Sequence, residues 1–147
     1  MKMNKTNLLA VSLAGLMGWG GVNTALAICP DAQREVVAIA LIATAAGYSI
    51  EGGIDCKLLP KGGIDLVKAT LLANQHYKLV AGGCNDAYDV DVLVLDENRN
   101  VVAKDTTTTK LAEVDIVPRW TGEFYIGTQM HNSTANGAHI NMLLLRK

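Results

Sequence analysis

The chain is 147 residues long, half of them apolar by count and 18% charged, with a formal net charge of −1. That length suits one domain, and a chain so apolar is no disordered polyampholyte. The near-zero charge lacks the basic footprint of nucleic-acid binding, so no nucleic-acid partner is expected.

Residues 1–27 read as an export signal. Lys2 and Lys5 give a positive start, residues 8–19 (LLAVSLAGLMGW) an apolar run, and Ala25-Leu26-Ala27 the small residues that a signal peptidase reads. The run is shorter than the ~20 residues a membrane helix needs. Cleavage after Ala27 is expected, giving a periplasmic or extracellular product with no stable membrane span. Lipoprotein processing at Cys29 is disfavoured because Ile28, not a small residue, precedes it. Cys29, Cys56 and Cys84 all lie beyond the signal, and an oxidising compartment favours a disulfide. Three thiols allow three single bridges. Cys29–Cys56 is preferred, since it would tie the N-terminal segment to the body. Without a C-x-x-C pair or a nearby histidine, zinc is not expected.

Residues 31–47 (DAQREVVAIALIATAAG) have the pattern of a helix, with Asp31 placed to cap it and Gly47 to stop it. Its segment 36–43 is apolar on every side, which suits burial in a core or docking on a partner. Residues 47–63 carry five glycines and a proline, the composition of a linker or irregular cover. Residues 28–63 are therefore expected to form an N-terminal helix and Gly-rich linker, and 64–147 the main domain. From residue 64 the pattern alternates. Strands are expected at 64–72, 76–81, 88–95, 101–103, 111–117, 122–130 and 138–145, with Tyr88, Val90, Val92 and Val94 on one face. Strands at this spacing without helices between them make an antiparallel sandwich or barrel.

Within 71–95 (LLANQHYKLVAGGCNDAYDVDVLVL) a strand and turn lead to a second strand with an early Tyr, and then to a D-x-D strand. Pro118, Thr121, Gly122, Phe124 and Tyr125 follow as P-x-x-T-G-x-φ-Y. Over about residues 64–145 this order resembles the bacterial pre-peptidase C-terminal domain family. The resemblance implies a secreted, mainly β fold: a jelly-roll-like antiparallel β-sandwich of seven or eight strands, here preceded by one apolar α-helix. Such domains usually accompany a catalytic domain, which this chain lacks, so the resemblance bears on fold and compartment more than on task.

Four carboxylates are candidate metal ligands: Asp86, Asp89, Asp91 and Asp105. Asp89 and Asp91 alternate about Val90, so both point to one face of a strand ~7 Å apart. A hard cation held by oxygens, calcium above all, would relieve their repulsion. The alternative is a polar strand end whose carboxylates bind water or backbone N–H groups. His76, His131 and His139 belong to no local catalytic signature, and no G-x-S-x-G or H-E-x-x-H occurs. A glycan platform from Tyr88, Trp120 and Tyr125 competes with core or corner packing. The expected function is a non-enzymatic binding or accessory module with a protein or glycan ligand, its contacts carried by loops 84–88, 104–110 and 131–137. Two alternatives stand beside it: a periplasmic subunit docking through helix 36–43, and a small hydrolase using His131 or His139.

Overall fold

The computed structural model describes residues 29–147, without the side chains of Ile54 and Asp55. The expected export signal, residues 1–27, lies outside the described residues. Among the described residues, one helix, α1 (Pro30–Ala45), precedes eight strands: β1 (Ser49–Leu59), β2 (Ile64–Leu71), β3 (Tyr77–Gly83), β4 (Ala87–Leu95), β5 (Val101–Asp105), β6 (Leu111–Ile116), β7 (Gly122–Ser133) and β8 (Ala138–Arg146). The strands form two four-stranded sheets, ordered β1-β8-β3-β6 (sheet A) and β2-β7-β4-β5 (sheet B). Every pairing is antiparallel. This is the jelly-roll order.

Alternation builds the core between the sheets. Leu79 and Ala81 of β3, Val90, Val92 and Val94 of β4, Phe124, Ile126 and Met130 of β7, and Ile140, Met142 and Leu144 of β8 are all buried there. On β8 the intervening residues Leu143 and Leu145 are buried too, on the outer face of sheet A. A helix on one side and the sandwich core on the other explain why β8 reads as an unbroken apolar run.

That helix is α1. Ala32, Val36, Ala40 and Ala43 share one face and are buried; three of them form a second cluster with Val80, Leu143 and Leu145. The helix thus lies outside the sandwich core, and its opposite face leaves Leu41 65% and Ile42 72% exposed. Pro30 opens it, Cys29 stands at the N-cap with no side-chain cap, and Asp31 accepts a hydrogen bond from Asn85 at 2.7 Å. Asp31 is therefore a first-turn residue and not the cap. Gly47, at a φ of +94°, makes the left-handed stop.

The expected linker is corrected in its second half: residues 49–59 are β1, so the sandwich begins at Ser49 and not at Ile64. The register of β1 against β8 shifts twice, between Ile50 and Gly52 and between Ile54 and Lys57. Two bulges destroy the period of two that marks a strand in sequence. Gly53 is required by close approach, because a Cβ there would overlap the carbonyl oxygen of Met142. Cys29 and Cys56 form the disulfide, tying the start of α1 to β1, while Cys84 is free. No described helix is long and apolar enough to cross a membrane.

Candidate functional site

The three loops expected to carry contacts meet at one end of the sandwich, and backbone hydrogen bonds hold them together. Gly83 N–H donates to Lys110 O at 2.8 Å, Val90 N–H to Thr109 O at 2.8 Å, and Thr134 N–H to Asp86 O at 2.9 Å. These link the β3–β4, β5–β6 and β7–β8 connections. The β1–β2 turn lies at the same end, tied to β7 through Gly62 N–H to Met130 O and Met130 N–H to Gly63 O. Asn85 takes part twice, donating to Asp31 and accepting from Lys110 Nζ at 3.3 Å. Loops cross-braced in this way present a fixed surface.

Asp89 and Asp91 lie close to this end on β4, facing away from the valines of the core. They are only 7% and 5% exposed. Burial holds the Asp91 carboxyl above the usual carboxylate range; the neighbouring Asp89 and, less strongly, Asp105 push the same way, against His131 and Lys104. His131 Nδ1 stands 3.6 Å from Asp91 Oδ2, beyond hydrogen-bond length. Asp89 Oδ1 is buried without a hydrogen-bond partner among the described residues.

The other two expected ligands are placed differently. Asp105 has both oxygens engaged: Oδ1 accepts from Thr107 N–H and Oδ2 from Glu113 N–H, each at 2.9 Å. Burial pushes this carboxyl up, but those backbone hydrogen bonds outweigh it and hold it below its ordinary value. Asp86 is exposed on the β3–β4 turn. The structure therefore brings Asp89 and Asp91 together but builds no four-carboxylate cage. Among the described residues, no group of three or more His, Cys, Asp or Glu side chains is disposed to hold a metal ion.

The register of β4 against β7 is irregular on both sides of Asp89. The bulge moves Tyr88 off the valine face, where it is exposed while Ala87 enters the core. Nor do the aromatic rings form one platform. Trp120 stacks on core Phe124 with centroids 5.3 Å apart. Tyr125, the next residue on β7, faces the other way, with the Arg99 guanidinium 4.5 Å and Lys68 Nζ 5.5 Å from its ring centroid. His76 lines a shallow trough with Tyr48, Lys78 and Asp115 at the opposite end of sheet A, and His139 is half-buried on β8.

Sequence reasoning did not find a groove of about 540 Å³ beside α1, lined by Ile39, Ile42, Tyr48, Lys78, Leu111 and Glu113. Its signal was the all-round apolarity of 36–43, which no single contact face can use up. Compared with models of protein families and with curated proteins, the chain matches none.

Proposed function

We propose that this chain is an exported, non-enzymatic binding or accessory module that engages a protein or glycan ligand through the loop end of its jelly roll. The observation that carries the reading is the convergence of loops 84–86, 106–110 and 134–137 on one surface, braced by backbone hydrogen bonds. Contacts are usually carried by loops on a rigid scaffold, and fixing those loops beforehand lowers the entropy cost of binding. The disulfide and the signal-like first 27 residues support export. The pre-peptidase C-terminal resemblance accords with a secreted accessory role.

The exposure of Leu41 and Ile42 favours a second reading, a subunit that docks through α1. Site-specific photo-crosslinking in the exporting cell separates the two. Probes at Asn85, Thr108 and Asn136 should yield discrete adducts, and a probe at Leu72, in the β2–β3 connection at the far end, should yield none. Adducts from Ile42 alone would transfer the function to the helix and overturn the loop-end reading.

A further inference from the structure

We infer that the Cys29–Cys56 disulfide is a redox-operated latch, whose reduction frees α1 from the outer face of sheet A while the eight-stranded sandwich stays folded. The bridge joins the residue directly before α1 to the second bulge of β1. Apart from the bridge, a single face of mostly small residues seats the helix on the sheet. Its four buried residues are three alanines and one valine, and with the partly buried Ile39 they cover one apolar patch, Val80, Leu143 and Leu145. Two of its polar ties, Glu35–Lys110 at 3.1 Å and Asp31–Asn85 at 2.7 Å, lie at its N-terminal end. Partly exposed ties of this kind contribute little, and a helix of 16 residues is marginal without tertiary support.

The sandwich does not depend on the helix in the same way. Its main core cluster contains no residue of α1, and β1 pairs with β8 on both sides of the bulge that carries Cys56. Cys56 is itself only half-buried, at a φ of +41°. That left-handed conformation is unfavourable for a residue with a side chain, so the bulge has a local reason to relax once the bridge opens.

The chemistry is a two-electron exchange with a dithiol reductant. Its thiolate attacks Sγ of Cys56, the less buried residue of the pair, and Cys29 Sγ leaves and takes up a proton. The reductant's second thiol then resolves the mixed disulfide. Cys29 and Cys56 end as thiols and the reductant as an internal disulfide. Release uncovers Val80, Leu143 and Leu145, the apolar floor that α1 covers. None of this depends on which ligand the loop end takes.

Hydrogen exchange on the purified protein, before and after dithiothreitol and again after reoxidation, tests the latch. Amides of residues 32–45 should lose protection by about 100-fold, the scale of one lost loop-closing bridge. Those of β3, β4 and β7 should hold, and reoxidation should restore the helix. A Cys84→Ser chain should behave identically, and a Cys29→Ser/Cys56→Ser chain should show the released pattern without reductant. Unchanged protection in α1 on reduction, or loss extending through β4 and β7, overturns the inference.

Discussion

At the level of single residues, the two buried carboxylates of β4 carry the clearest consequences. The Asp91 carboxyl is held above its ordinary value, burial being the largest cause. The folded protein therefore binds that proton more tightly than the unfolded chain does. Its effect on stability becomes more unfavourable as pH rises through the raised value and is absent below the unfolded one. Asp91→Asn should accordingly raise the melting temperature at pH 7, with the gain shrinking as pH is lowered through the carboxylate range. A variant less stable than the parent at pH 7 would show that the charge is wanted. Adding calcium in place of chelator should leave the parent's melting temperature unchanged, because Asp105 is committed to backbone N–H groups; a clear rise would assign the ion to Asp89 and Asp91. The pairing of these two carboxylates was legible from their alternation about Val90. The displacement of Tyr88 was not, because a bulge leaves no periodic mark. Tyr77 was readable as a strand residue but not as a tie: its hydroxyl accepts from Leu72 N–H at 2.9 Å. Tyr77→Phe should cost about 1 kcal/mol in denaturant melts by stranding that N–H.

Among the elements, α1 and the edge strands show where sequence patterns stop being informative. Helix 30–45 was visible, but which of its apolar faces would be buried depends on what sheet A offers. Gly82 helps decide it, since a Cβ there would lie 2.8 Å from Val36 Cγ2 and 3.1 Å from Ala32 O. Gly82→Val should therefore push the helix outward and destabilise by about 1–3 kcal/mol, the cost of overpacking. Protection lost first in α1 is the signature to look for. The edges of the two sheets are joined by Asp105, which ends β5 and caps the outward N–H of Glu113 on β6. An otherwise open strand edge is blunted in this way. Because that carboxyl is held below its ordinary value, its stabilising effect is full above the unfolded value and fades as pH falls through the folded one. Asp105→Ala should cost about 1 kcal/mol at pH 7, and the difference from the parent should vanish in strong acid. β1 was hidden for a physical reason: Gly52, Gly53 and two bulges remove both the alternation and the β-branched content by which a strand is known.

Over the whole molecule, the antiparallel sandwich was legible because seven short β-branched or aliphatic segments follow one another with turn signals and no helices between them. Their order was not legible from alternation, since pairing β8 between β1 and β3 is a long-range choice. Its reward is a core reaching from Leu79 to Phe124, and Leu79→Ala, at a fully buried position, should cost about 2–5 kcal/mol. The same winding sets four connections at one end and braces them through hydrogen bonds from Gly62, Gly83 and Thr134. No sequence window contains that surface, because it is assembled from segments far apart in the chain.

The most direct measurement is a surface exchange at that end, read for folding and binding together. Asn85, Thr106, Thr108, Ala135 and Asn136 would be replaced by serine and glycine, and the variant compared with its parent in thermal melts and in crosslinking from a retained probe at Asp86. The account predicts a melting temperature within a few degrees of the parent and loss of the adduct. An adduct of undiminished yield from the fully folded variant would contradict it.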